Sequence, residues 1–277
     1  MAETYSTLAA LFIDIADAIR EKTGATATIV ADDFPDVIRN VLQVKTYLTF
    51  SSPSSFTLKV NDTTKHWDGT LEYSTDTSAW STWDGTTTLS STTSGSDNVL
   101  YLRGIGNTVI TGNGNKDSYK WVFTGSNITC IGNIENLLDY ATVESGNHPT
   151  MADYCYYYMF YGCTSLTQAP VLPATTLAKN CYAYMFRGCT SLTQIPALPA
   201  TTLVGYCYQY MFQDCSKIKL SSTQTGEYTV AYRIPTTGTG ATAVSALYHI
   251  FASTGGTFTE SPEINTTYYL SNTNTVV

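Results

Sequence analysis

The side chains in this chain best suited to chemistry at a fixed spacing are its cysteines. Cys155 and Cys163 stand eight apart, and the interval returns in Cys181/Cys189 and Cys207/Cys215, with Cys130 left over. Such thiols could bind metal, close disulfides or fill a core. Metal is the weakest reading, because no Cys-x-x-Cys and no paired histidine accompanies them. Disulfides need an oxidising compartment, and the start, Met1-Ala2-Glu3-Thr4, lacks the basic n-region of an export signal. Small apolar thiols suit a packed interior, so the sequence favours reduced cysteine ladders. Catalysis fares worse. His66, His148 and His249 are scattered, and between residues 151 and 213 the charged residues are Asp153, Lys179 and Arg187 alone. Proton transfer needs a base or carboxylates, which this stretch scarcely offers. Gly104-Ile105-Gly106 lacks the third glycine of a nucleotide fingerprint. The sequence therefore predicts no enzyme, no catalytic residue, no cofactor and no metal.

Tyrosine is the other candidate. Tyr156/Tyr182/Tyr208 and Tyr158/Tyr184/Tyr210 recur in phase. One reading packs a row inward with its hydroxyls reaching water. The other makes Tyr157, Tyr158, Tyr161, Tyr184, Tyr206 and Tyr210 an exposed aromatic strip for glycan or protein contact. Ser165, Thr167, Ser191, Thr193, Lys217 and Lys219 alternate about Leu166, Leu192 and Ile218, and would line a strand face beside it. Trp67, Trp80, Trp83 and Trp121 could form a sugar platform, but core filling or cover for a sheet edge is the plainer reading.

The element that must position these residues is a repeat. Cys155-Tyr156-Tyr157-Tyr158-Met159-Phe160 returns as Cys181-Tyr182-Ala183-Tyr184-Met185-Phe186 and as Cys207-Tyr208-Gln209-Tyr210-Met211-Phe212, a period of 26. Residues 155–180 and 181–206 are identical at 19 of 26 positions. Cys155 and Met159 are four apart, as are Tyr156 and Phe160, which predicts a short helix in each unit. A strand opening at Leu166 and Leu192 follows, closed by Pro170-Val171-Leu172-Pro173 and Pro196-Ala197-Leu198-Pro199. The predicted repeat core is Cys155, Met159, Phe160, Cys163, Leu166, Cys181, Met185, Phe186, Cys189, Leu192, Cys207, Met211, Phe212 and Cys215.

The run Met-Phe-x-Gly-Cys-Thr-Ser-Leu-Thr followed by Pro-x-Leu-Pro-Ala-Thr-Thr-Leu, at 159–177 and 185–203, resembles the BspA-like leucine-rich repeats. The resemblance implies a leucine-rich-repeat solenoid over 128–277. Cys130 to Tyr140 would be its entry cap, and Ala246-Leu247-Tyr248-His249-Ile250-Phe251 would belong to its terminal unit. Solenoids typically bind through such extended surfaces. After Cys215 the third unit departs from the pattern, and an insertion containing Arg233-Ile234-Pro235 follows.

Upstream, alternation at Tyr47–Phe50, Ser55–Val60, Thr70–Ser74, Asn98–Gly104 and Tyr119–Phe123 predicts a small antiparallel β-sandwich-like domain over 45–127. Residues 1–44 predict a helical hairpin, with Leu8, Leu11, Phe12, Ile15 and Ile19 as an oligomerisation face. Docking on the rest of the same chain is an equal alternative for it. Ala18-Ile19-Arg20-Glu21-Lys22-Thr23-Gly24 resembles N-terminal segments of phage tail and fibre proteins. The predicted fold class is thus α+β in three parts.

Net charge is −8 and charged residues are only 13% of the chain, which argues against a nucleic-acid partner. No run is long and apolar enough to span a bilayer, and no lipidation or wall-sorting pattern is present. The expectation is a non-enzymatic phage virion protein (tail, baseplate or head fibre), extracellular after lysis. It would join other virion proteins through its helices and contact a bacterial surface glycan or protein. A homo-oligomer is expected, trimers being common among fibres. The alternatives are a BspA-like adhesin on the bacterial cell surface and an architectural spacer without a ligand.

Overall fold

The computed structural model describes residues 47–62, 64–234 and 243–277. The expected hairpin over 1–44, with Leu8, Leu11, Phe12, Ile15 and Ile19, lies outside the described residues.

Alternating apolar and polar residues form strands wherever one face can be buried. β1 (Leu48–Ser52) pairs antiparallel with β7 (Asp97–Ile105) and with β9 (Ile128–Ile131). That register sets Phe50 opposite Leu100 on one side and Cys130 on the other, all buried. β3 (Thr70–Ser74), β4 (Ser81–Trp83) and β6 (Thr92–Ser94) extend the β7 side. A second, three-stranded sheet runs β5 (Leu89–Ser90), β2 (Thr57–Val60), β8 (Trp121–Thr124). Its Phe123 and Trp121 rings meet Phe50 at 5.1 and 6.4 Å, so the two sheets share one core. Trp67, Trp83 and Trp121 fill that core. Trp80 instead lies against the Arg103 guanidinium, 4.1 Å from its ring centre.

The first sheet does not stop at β9. β10 (Leu166–Gln168) joins β9 in parallel, β11 (Gln194–Ile195) joins β10, and β15 (Thr275–Val276) joins β11. The regions 45–127 and 128–277 therefore share a nine-stranded mixed sheet. A third sheet, β12 (Leu220–Ser221), β14 (Thr266–Ser271), β13 (Tyr228–Ile234), is built from the insertion and the chain end.

The expected α+β class and leucine-rich solenoid are overturned: the described chain is mostly β, with two helices. These are α1 (Lys116–Tyr119) and α2 (Asn136–Glu144), and both lie outside the repeats. Each Cys-Tyr-x-Tyr-Met-Phe run is a chain of turns instead of a helix. The N–H groups of Tyr157, Met159, Tyr161 and Cys163 each donate three residues back. Those of Tyr154, Tyr156, Tyr158, Phe160 and Gly162 donate to Lys179, Cys181, Ala183, Met185 and Arg187 of the next unit. Half the N–H groups close local turns and half tie one unit to the next. Two further layers repeat the scheme, ending at Val244, Ala246, Tyr248, Ile250 and Ala252.

The sequence signal was ambiguous for a physical reason. Every fourth residue is left-handed, at Tyr154, Tyr158 and Gly162, then Asn180, Tyr184 and Gly188, then Tyr206, Tyr210 and Asp214, then Ser245, His249 and Ser253. A period of four turns residues i and i+4 to one side just as a 3.6-residue helix does. Placing tyrosine in the left-handed region costs about 1–2 kcal/mol per residue, and the ladder of interunit bonds offsets it.

Inside the stack, like residues lie on like. Phe160, Phe186, Phe212 and Phe251 form a near-parallel column with spacings of 5.5, 5.6 and 5.7 Å. All fourteen predicted repeat-core residues, Cys155 to Cys215, are buried.

Candidate functional site

The tyrosines at the first two rows of each turn chain separate into two columns. Tyr156, Tyr182 and Tyr208 are buried and stacked nearly parallel, 5.5 and 5.9 Å apart. Tyr158, Tyr184 and Tyr210 sit outside them, half-buried, 4.6 and 4.8 Å apart. Their left-handed backbone, at φ near +60°, turns these rings out of the core. Tyr157 stands against Tyr158 at 4.2 Å and against Tyr154 at 5.2 Å, and Tyr161 packs edge-on to Tyr158 at 5.4 Å. At the far end Tyr210 meets Tyr248 and His249 at 5.4 and 5.6 Å. The result is a continuous aromatic strip across four layers. Burial and neighbouring phenols push the Tyr158 and Tyr184 hydroxyls above their ordinary range, so they stay protonated and able to donate.

Cations flank this strip. The Arg187 guanidinium lies 5.9, 5.8 and 5.7 Å from the ring centres of Tyr161, Tyr184 and Tyr210. Lys116 and Lys120 approach the same Tyr161 ring to 5.6 and 5.8 Å. Asp214 pairs with Arg187 at 3.2 Å, and Asp117 with Lys116 at 2.8 Å and Lys120 at 3.7 Å.

The structure thus brings Tyr157, Tyr158, Tyr161, Tyr184 and Tyr210 together. Tyr206 stands apart in the row of Tyr154, with Lys179 5.9 Å from its ring. The strand-face residues form no comparable site. The Thr167 and Thr193 hydroxyls donate to the Ile128 and Thr167 carbonyls, holding strand to strand. Ser165 and Ser191 are half-buried; Lys217 and Lys219 are exposed on the third unit. Arg187, Tyr154, Tyr248 and His249 were not among the predicted contact residues. Sliding the repeat by 39 residues past the insertion sets His249 on Tyr210, and this offset was the signal for the last layer.

A second polar feature lies at the start of α2. The α2 helix docks against β7 at Gly104, where any side chain would strike the Leu137 carbonyl. That docking buries Glu135 ahead of the helix, and its carboxylate accepts from His148 Nδ1 at 2.8 Å. Burial pushes the Glu135 carboxyl up, and His148 and Asn133 pull it partly back. His148 Nδ1 lies within hydrogen-bond distance of both Glu135 carboxylate oxygens, at 3.1 and 2.8 Å. All seven cysteines are buried and free, and no cluster of three metal-binding side chains occurs among the described residues. No protein-family model, curated protein or solved structure matches the chain.

Proposed function

We propose that this chain is a non-enzymatic attachment protein that lays its tyrosine strip against saccharide on a bacterial surface. The observation that carries the reading is the run Tyr157, Tyr158, Tyr184, Tyr210 and Tyr248, half-exposed or exposed and unbroken over four layers. Sugar rings present C–H faces that pack on aromatic faces, and their hydroxyls exchange hydrogen bonds with phenols. The interunit backbone bonds hold these rings in place before any ligand arrives, which lowers the ordering cost of binding. A strip suits a repeating polymer better than a compact ligand, since each layer offers one more ring.

Membership of a phage virion, as tail, baseplate or head fibre, is part of the proposal. It is supported by the sequence resemblance and the low charge content. Retention of the chain on a panel of purified bacterial surface polysaccharides tests the contact. Tyr184→Ala and Tyr210→Ala should each weaken retention by about tenfold, the equivalent of about 1.4 kcal/mol. Retention unaffected by both substitutions would remove the strip from the mechanism. Peptide mass spectrometry of purified particles tests the virion assignment, and absence of the chain from them would end it.

A further inference from the structure

The strip is chemically uneven along its length. Its Tyr248/His249 end is aromatic, whereas three cations converge on Tyr161 in the first layer, and one of them, Arg187, also flanks Tyr184 and Tyr210. The whole sequence carries 14 lysines and arginines against 22 acids, so three about one ring is a local concentration against the overall sign. Two carboxylates, Asp117 and Asp214, balance them only in part and leave one positive charge in excess. Beside the Tyr161 ring opens a cavity of about 150 Å³. Lys120, Phe123, Tyr161, Gly162, Thr164 and Ser165 are among its lining residues. Closed sites for whole ligands run to about 300–1,000 Å³, so this space takes a substituent and not a ligand. An open notch with a lysine and two hydroxyl side chains, and with the Arg187 guanidinium 5.9 Å from the Tyr161 ring that lines it, matches a carboxylate or a phosphate.

We infer that the saccharide bound along the strip is anionic, and that its carboxylate or phosphate group seats between Lys120, Arg187 and Tyr161 while its sugar rings run over Tyr158, Tyr184 and Tyr210. The inference rests on the saccharide reading above and names its ligand class. Arg187 is suited to the task because its planar fork can turn from Asp214 to an incoming oxyanion while staying over the tyrosine faces. The Lys116 ammonium, held by Asp117, adds to the local field without entering the notch. The excess of acids elsewhere is screened beyond about 8 Å at physiological ionic strength. Binding of a polyanion to this acidic chain would therefore report a local site.

The test uses the full chain and three immobilised polymers: polygalacturonate for carboxylates, a phosphodiester-linked hexose polymer for phosphates, and dextran as the neutral control. The expected result is retention of at least one polyanion about tenfold above dextran, the scale of one charge-assisted hydrogen bond, with a marked fall as salt is raised. Arg187→Gln and Lys120→Gln should each bring polyanion retention down toward the dextran level. Arg187→Lys should restore part of the difference, which separates loss of charge from loss of fold. Preference for the carboxylate or the phosphate polymer identifies the oxyanion. Equal retention of all three polymers, or a polyanion preference that survives both glutamine substitutions, overturns the inference and leaves the saccharide reading standing. No retention of any polymer overturns both.

Discussion

The Tyr156 and Tyr182 rings stack at 5.5 Å with a 5° tilt, yet their hydroxyls meet different fates. Tyr156 donates to the Ile134 carbonyl at 3.2 Å, while the buried Tyr182 hydroxyl has no partner among the described residues. An unpaired buried hydroxyl costs about 1–3 kcal/mol, whereas a made hydrogen bond contributes about 1 kcal/mol. Tyr182→Phe should therefore raise stability by about 1 kcal/mol, and Tyr156→Phe should lower it by about the same amount. Urea midpoints of the two variants check the contrast. Equal shifts in one direction would contradict it.

Asn274 joins the end of the chain to the second and third repeat units. Its amide donates to the Thr193 and Lys217 carbonyls at 3.2 and 3.0 Å, and its carbonyl accepts from the Lys219 N–H at 3.0 Å. The side chain is 1% exposed, so water cannot replace these bonds. Asn274→Ala should destabilise the chain by about 2–3 kcal/mol. Amide exchange at Val277, which donates to Ile195, should accelerate with it. Unchanged exchange there would place the anchoring elsewhere.

Glu135 predicts a pH dependence of stability. Its carboxyl is raised in the folded chain, chiefly by burial, so the folded state holds the proton more tightly than the unfolded state does. This contribution is complete below the unfolded value near 4.5 and is lost as pH rises through the raised folded value. Glu135→Gln should flatten the fall in Tm across that window, measured from pH 4 to pH 7. A wild-type slope that persists in the variant would assign the dependence to another group.

The thiols should be inert in the folded chain. Burial pushes the Cys163, Cys207 and Cys215 thiols up to about 12, and all seven cysteines are free. Since the thiolate is the reactive species, a disulfide-exchange reagent should label none in buffer and seven in strong denaturant. Fewer than seven in denaturant would mean that some are oxidised. Rapid labelling in buffer would mean that a ladder opens.

Much of the β framework was readable from alternation. The stretches about Phe50, Leu58, Leu71 and Leu100 lie in β1, β2, β3 and β7, and all four of these side chains are buried. The tyrosine strip was readable only in part. Tyr158, Tyr184 and Tyr210 announce themselves by phase, but Arg187 occupies the Tyr161 position of the next unit and breaks the pattern. Its value lies in which rings surround it, and spacing alone does not report that. Lys116 and Lys120 come from a segment of no repeat character at all.

The helix expected in each unit failed because the choice between a helix and a chain of turns is not local. An isolated segment satisfies its own N–H groups best as a helix. A neighbouring copy offers carbonyls at matching height, and half of the N–H groups then bond outward.

What the sequence alone determined is the period of 26, the residues that recur in phase, and the alternation that makes the flanking strands. Those features depend on short-range order along the chain. Tertiary structure decided that the units are turn chains and not helices, and that one sheet runs from β4 to β15. It also decided that three cations from two regions share one tyrosine ring. Each of these depends on what lies across a gap in space, and the one-dimensional spacing of residues does not encode it.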